Sequence, residues 1–161
     1  MLPFIIDWVQ KHRSDFLQYP GRILEIGSKN INGSVRGCFD SWLDYTGVDS
    51  EDGPGVDLVL DGAEVLNHFG PEWFDTVICC ETFEHMPEFW RTLRAIRGVL
   101  KPGGLFVVTT PSITFPYHAF PVDVYRFTQD TYKLVFFKDM EILELKEWGN
   151  VIGGIARKRL L

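Results

Sequence analysis

The segment Arg22-Ile23-Leu24-Glu25-Ile26-Gly27, followed 22 residues after its glycine by Asp49 at the end of Tyr45-Thr46-Gly47-Val48-Asp49, constrains this chain more than any other. An apolar run that stops on glycine reads as a buried strand entering a tight turn, and the second run reads as a strand ending in a carboxylate. Side by side, the two put a bare backbone bend and an acid at one rim. The bend lets a ligand approach the main chain, and the acid takes both hydroxyls of a ribose. The pair points to a nucleoside site. It leaves open whether that nucleoside belongs to a nicotinamide cofactor or to another adenosine-bearing molecule.

The rest of the chain extends the alternation. Phe4, Ile5, Trp8, Val9, Phe16 and Leu17 fall on one helical face, which predicts an amphipathic helix over 4–17 within an N-terminal segment 1–18, stopped by Tyr19-Pro20-Gly21. Strands are expected at 22–26, 44–48, 56–60, 74–79 and 105–110, with short helices near 34–41 and 63–69 and a longer one over 88–100. In the longer helix Phe89, Leu93, Ile96 and Leu100 share the apolar side, Arg91, Arg94 and Arg97 are assigned to solvent, and Lys101-Pro102-Gly103-Gly104 breaks the helix. Leu105–Thr110 has the continuous apolar character of a strand covered on both faces. A loop over 111–127, rich in proline and aromatics, leads to a helix near 128–137. Gly149-Asn150 then joins strands at 141–148 and 151–157 as a hairpin.

This order predicts an α/β fold: a Rossmann-like, doubly wound, seven-stranded and mostly parallel sheet with an antiparallel C-terminal hairpin strand, helices on both faces and ligands at the carboxyl ends of the strands. At 161 residues the chain is expected to be one domain over 1–161. The net charge of −6 and the pI near 5.2 argue against charge-driven adhesion to nucleic acid. The basic tail Arg157-Lys158-Arg159 reads as a solvated chain end. Three cysteines, Cys38, Cys79 and Cys80, with no CxxC or Cys/His spacing, suggest neither disulfides nor a metal, and a cytoplasmic setting fits them. The N-terminus lacks a basic leader and no apolar run approaches the ~20 residues that cross a bilayer, so no membrane attachment is expected.

Four pieces, taken together, carry a resemblance: Ile23-Leu24-Glu25-Ile26-Gly27-Ser28; Gly47-Val48-Asp49; Asp61-Gly62; and, in order, Phe74-Asp75-Thr76-Val77-Ile78, Glu84-His85-Met86-Pro87 and Leu100-Lys101-Pro102-Gly103-Gly104. The chain resembles the class I S-adenosylmethionine-dependent methyltransferases, close to the small type 11 group, over essentially its whole length. The resemblance implies S-adenosylmethionine as cofactor. Gly27 would let the backbone pass close to it, with Ser28 and Gly33 completing the turn. Glu25 would face the sulfonium and amino end, or serve as partner to a nearby amide. Asp49 would accept the ribose hydroxyls. Asp61 would accept from the adenine amino group with the Gly62 backbone alongside, or cap the next short helix. Cys80 would line the methionyl part of the pocket through its backbone. The family often shows further glycines close behind the first, whereas here Ser28–Asn32 intervene before Gly33, so the turn should bend differently around the methionine moiety. A nicotinamide reading fits less well: the GxGxxG fingerprint is missing and no second domain is available for hydride chemistry.

Methyl transfer needs an aligned acceptor and, for a hydroxyl, a base. The loop Pro116–Thr128 resembles a His–Pro-x-Asp–Arg-aromatic-Thr run of sugar-directed and natural-product-directed relatives. His118 is the candidate general base, since imidazole titrates near neutrality; a loop histidine bonded to backbone is the alternative. Asp123 and Arg126 are expected to staple the loop as an ion pair, Thr128 to cap the following helix, and His85 to be structural. No Asn/Asp-Pro-Pro-aromatic tetrad follows the fourth strand, Cys79 and Cys80 lack the setting of a cytosine-attacking thiol, and no acid and amide set of the metal-assisted catechol enzymes stands out. The expected function is methyl transfer to a hydroxyl or carboxyl of a small-molecule or glycan acceptor. A non-catalytic cofactor-binding subunit and, less favoured, nucleic-acid methylation stand as rivals, and homo-oligomerisation is left open.

Overall fold

The computed structural model describes residues 1–16, 21–39, 44–119 and 121–160. Its strands are β1 (Arg22–Ile26), β2 (Asp44–Asp49), β3 (Leu58–Val59), β4 (Phe74–Cys80), β5 (Leu100–Pro111), β6 (Met140–Trp148) and β7 (Val151–Lys158). They form one sheet in the order β3-β2-β1-β4-β5-β7-β6. β1 to β5 pair in parallel, and β7 runs antiparallel to both β5 and β6. This is the doubly wound, mostly parallel sheet that the alternation of elements predicts.

Neighbouring residues of a strand point to opposite faces, and the central strands are apolar in both sets. Leu24, Val77, Phe106 and Ile152 enter one core, to which α2 (Val65–Phe69) adds Val65 and where α3 (Phe89–Val99) packs with Leu93, Ile96 and Val99. Ile23, Ile78, Val107 and Ile155 enter the other, against Ile5, Trp8 and Val9 of α1 (Pro3–Phe16). α1 is further tied to the hairpin: the Trp8 indole N–H donates to Glu144 Oε1 at 3.1 Å, and its ring meets Trp148 edge-on at 5.2 Å. Leu17 and the Tyr19-Pro20 stop lie outside the described residues.

Several elements differ from expectation for local reasons. The third strand shortens to Leu58–Val59. The segment expected as a helix near 34–41 holds one 3-10 turn, Arg36–Cys38, its last two residues lying outside the described residues. Lys101–Gly104 belongs to β5 as a bulge, because pairing with β4 jumps from Phe74↔Leu100 to Thr76↔Leu105. The Lys101 ammonium holds that bulge on both oxygens of Asp75 at 2.7 and 2.8 Å. The helix near 128–137 is a single turn, Gln129–Thr131, capped by Thr128 as expected, running into a π-turn over Tyr132–Phe136. Tyr132, Phe136 and Phe137 are all buried there, and the Tyr132 hydroxyl donates to Ile152 O at 2.8 Å.

The basic residues also depart from a purely solvated role. Arg97 is half-buried and donates to the Val135 and Phe136 carbonyls at the end of the π-turn. Lys158 donates to Arg97 O at 2.9 Å and Leu100 O at 2.7 Å, satisfying carbonyls left free at the end of α3. Among the described residues no helix is long and apolar enough to cross a membrane.

Candidate functional site

The sheet grows outward from β1 in two directions, through β2 on one side and β4 on the other. Such a switch point leaves a crevice beyond the carboxyl ends of the strands. Here the crevice is a cleft of about 820 Å³, and Glu25, Gly27, Ser28, Gly33, Asp49, Asp61, Gly62, Cys80 and His118 all line it. Every site residue expected from the sequence therefore faces one cavity.

Gly27 turns the chain at φ +78°, and a Cβ there would collide with the Thr82 side chain. Its N–H and that of Ser28 both donate to Val48 O, at 2.9 and 3.1 Å, which locks the turn onto the end of β2. Ser28 is buried and its hydroxyl has no partner among the described residues. Asp49 accepts from Lys29 N at 3.1 Å through Oδ2 and from Glu51 N at 3.2 Å through Oδ1. One bond per oxygen leaves lone pairs free for further donors. Asp61 has the capping role: Oδ1 accepts from Ala63 N at 2.8 Å. Gly62 is buried because a Cβ would press on Ile26 and Thr92, each at 2.8 Å. Gly33 sits at φ +113° with its N–H on the Asn30 side chain.

Glu25 is almost fully buried at 2% exposure, and its Oε2 accepts from the Tyr45 hydroxyl at 2.8 Å. Burial raises its carboxyl to about 7, with the Tyr45 bond and the nearby Arg36 charge pulling the other way. The structural partner of Glu25 is a phenol, not an amide. Cys80 is buried in the α1-side core, and burial pushes its thiol well above the usual range. Cys79 is shifted the same way by burial, consistent with an inert core thiol.

The opposite wall is formed by the turn after β4 and by the 112–127 loop, of which Phe120 lies outside the described residues. The Arg126 guanidinium meets Asp123 at 2.6 Å and donates to the Phe115 and Pro116 carbonyls, which is the expected staple. It holds the Asp123 carboxyl well below the usual carboxylate range. Asp123 in turn accepts from His118 N at 2.7 Å and lies 3.4 Å from His118 Nδ1. His118 Nε2 looks toward Glu84 Oε1 at 3.7 Å. His85 Nδ1 lies 2.5 Å from Val122 O, the structural role expected of it.

Sequence reasoning missed two carboxylates. Glu84 is fully buried, and neither of its oxygens has a hydrogen-bond partner among the described residues. Burial raises it to about 7 against the opposing pull of His85. Glu81 lines the cleft with a left-handed backbone, φ +50°, and burial together with the Glu84 charge pushes it up to about 8. The available signal was a pair of acids in the turn directly after the apolar run Val77-Ile78-Cys79-Cys80 that ends β4.

Comparison with known proteins bears on this geometry. Residues 40–108 match a family model described as a methyltransferase domain. A ubiquinone biosynthesis O-methyltransferase of Xanthomonas euvesicatoria is 40% identical over 60 residues, covering 37% of this chain and 25% of the relative. An (S)-coclaurine N-methyltransferase of Thalictrum flavum is 36% identical over 69 residues, covering 42% and 19%. The chain thus spans about a quarter of the length of the relatives it matches. In fold it is similar to a Burkholderia thailandensis 1,6-didemethyltoxoflavin-N1-methyltransferase solved with bound 1,6-didemethyltoxoflavin and S-adenosylhomocysteine, at a TM-score of 0.76 and 15% identity over 96% of this chain and 78% of that one.

Proposed function

We propose that this chain, a class I S-adenosylmethionine-dependent methyltransferase domain by its fold and central segment, transfers the methyl group of S-adenosylmethionine to a hydroxyl on a small-molecule acceptor. The observation that carries the proposal is the division of one cleft into two chemistries. A glycine turn, Ser28, Asp49 and Asp61 line one part, and His118, Glu81 and the 112–127 loop line the other. In this reading Asp49 uses its free lone pairs for the ribose hydroxyls. Asp61 accepts from the adenine amino group beside its Ala63 bond. Glu25 offsets the cationic sulfonium and amino end, and the Ser28 hydroxyl finds its partner in the ligand.

The reaction is an in-line displacement: the acceptor oxygen attacks the methyl carbon, the sulfur–carbon bond breaks, and its electron pair stays on sulfur. The hydroxyl proton leaves to a base. While its Nε2 is free, His118 is that base, with Asp123 behind Nδ1 stabilising the imidazolium that forms. Similarity to O-methyltransferases of ubiquinone biosynthesis supports a hydroxyl acceptor. A sugar hydroxyl or a carboxyl remains within the same chemistry.

The test is calorimetry with S-adenosylmethionine and S-adenosylhomocysteine, followed by labelled-methyl transfer to catechols, sugars and carboxylic acids. Binding of both ligands and label on a hydroxyl are expected. Tight product binding with no transfer to any acceptor would mark a non-catalytic cofactor-binding subunit, and label confined to amines would move the acceptor atom to nitrogen.

A further inference from the structure

We propose that Glu84, His85 and His118 form a binding site for one divalent transition-metal cation on the acceptor side of the cleft. One donor atom from each lies within 4.8 Å of the other two. Glu84 supplies the strongest reason. A carboxylate withdrawn completely from solvent is nearly always hydrogen-bonded or paired, yet neither of its oxygens has a hydrogen-bond partner among the described residues.

Both histidines are oriented as ligands are. His85 Nδ1 sits 2.5 Å from Val122 O, which makes Nδ1 the protonated nitrogen and leaves a lone pair on Nε2. That Nε2 lies 3.6 Å from Glu84 Oε1. His118 Nδ1 lies 3.4 Å from the Asp123 carboxylate, and its Nε2 lies 3.7 Å from the same Glu84 oxygen. The carbonyl behind His85 is the outer arrangement that fixes the tautomer of a metal-binding histidine, whereas the Asp123 carboxylate holds His118 through its backbone N–H and lies near Nδ1 without a hydrogen bond to it.

The spacing agrees. Distances of 3.6 and 3.7 Å are too long for hydrogen bonds. Tetrahedral bonds of about 2.0–2.1 Å would hold neighbouring donors roughly 3.3 Å apart, so the two carboxylate–imidazole edges need shifts of a few tenths of an ångström, and the two imidazole nitrogens, within 4.8 Å of each other, draw together on the cation. The Glu84 carbonyl accepts from Val124 N and Tyr125 N at 2.8 and 3.2 Å, binding the turn after β4 to the loop that brings His118. Two imidazoles and one carboxylate suit Zn²⁺, Fe²⁺ or Co²⁺ better than Mg²⁺ or Ca²⁺, and three protein ligands leave a position for an exchangeable oxygen. No ligand spacing announces the set along the chain, since Glu84 and His85 are adjacent and His118 lies in a distant loop.

The role of the cation rests on the methyl-transfer reading. An acceptor hydroxyl in the open position is acidified by the cation. Its O–H bond breaks, the proton passes to the ionised Glu81 carboxylate, and the freed oxygen forms the new bond to the methyl carbon as sulfur leaves. In the loaded protein His118 is therefore a ligand, and Glu81 takes the base's part.

The experiment uses the full chain, stripped with a chelator and titrated with Co²⁺ in the absence of cofactor and acceptor. One equivalent should bind, with visible absorption that Zn²⁺ displaces. Glu84→Gln and His118→Ala should each weaken Co²⁺ by at least about tenfold, while both variants still bind S-adenosylhomocysteine, which reports an intact fold. The His118 change lies in a partly exposed loop and decides the matter if the Glu84 variant does not fold. No saturable Co²⁺ binding, or wild-type affinity in the variant, overturns the site. Stoichiometric Co²⁺ binding without methyl transfer to any hydroxyl upholds the site and counts against the proposed function alone.

Discussion

The Tyr45 hydroxyl donates to the Glu25 carboxylate at 2.8 Å, joining β2 to β1 at the wall of the cleft. Burial is the dominant influence on Glu25 and raises it to about 7, so near neutrality the free protein holds this acid part-protonated. A bound sulfonium or ammonium favours the ionised form. Binding of S-adenosylmethionine at pH 7 should therefore release up to about half a proton, and affinity should rise with pH through 7 and then level off. Calorimetry in buffers of different ionisation enthalpy reads the released proton directly. Glu25→Gln should abolish the release, and a release unchanged in that variant would locate the titrating group elsewhere.

The same acid shapes stability. Its folded value of about 7 lies above the unfolded reference of 4.5, so the folded state binds more protons between those values and stability falls as pH rises across that window. The loss is absent below about pH 4.5 and grows to the order of 3 kcal/mol as pH rises to about 7, where it levels off. Glu25→Gln keeps an acceptor for Tyr45 and should flatten this part of the profile. Thermal unfolding at pH 5, 6, 7 and 8 is the measurement, with the variant gaining on the wild type as pH rises.

Gly27 and Thr82 form a second coupled pair. Alanine at position 27 meets two separate penalties, a left-handed backbone at φ +78° and overlap with the Thr82 side chain. The backbone part costs about 1–2 kcal/mol. Gly27→Ala should lower the melting temperature and weaken cofactor binding. Adding Thr82→Ala should recover the steric share but not the backbone share, less the bond from Thr82 Oγ1 to Cys80 O that is lost. A double variant no better than the single one would show that the clash is relieved by other means.

The elements legible in the sequence were those dictated by local pattern. Both alternating sets of Leu105–Val108 are buried, Gly149-Asn150 closes a hairpin, and the turn at Gly27 lies against the end of β2 beside Asp49. What stayed hidden depends on contacts between distant segments. Lys101 reads as part of a helix stop until Asp75 draws the bulge into the sheet. Arg97 reads as solvent-facing until the π-turn presents its carbonyls. Glu84 looks like an ordinary acid in a polar turn, and only its burial beneath the 112–127 loop gives it chemical meaning.

Asp49 is predicted to carry ribose recognition. Asp49→Ala should weaken S-adenosylmethionine and S-adenosylhomocysteine alike by roughly 1.5–3 kcal/mol, the scale of hydrogen bonds to a charged group. Part of the loss comes through the protein, since Lys29 N and Glu51 N lose their acceptor as well. Asp49→Asn keeps an acceptor for only one of these two backbone donors and removes the charge, so its affinity should fall between those of the wild type and Asp49→Ala. Unchanged affinity in both variants would remove Asp49 from the site.

His118 and Glu81 divide the acceptor chemistry, and their variants should behave differently. His118→Ala should lower turnover while cofactor affinity is preserved, because His118 faces the acceptor wall. Glu81 is held at φ +50° beside the cleft, an unfavourable backbone for a long side chain and one that tends to mark working residues. Burial and Glu84 push it up to about 8. In the cation-loaded protein the cation offsets the Glu84 charge that helps to raise Glu81, so turnover should climb with pH and flatten below the value of the cation-free protein, since only the ionised carboxylate can take the proton. Glu81→Gln should then cost about 10²–10⁴ in turnover and erase that climb, with little change in the affinity for S-adenosylhomocysteine. Wild-type turnover in Glu81→Gln, with and without added Co²⁺, would return the base's role to His118.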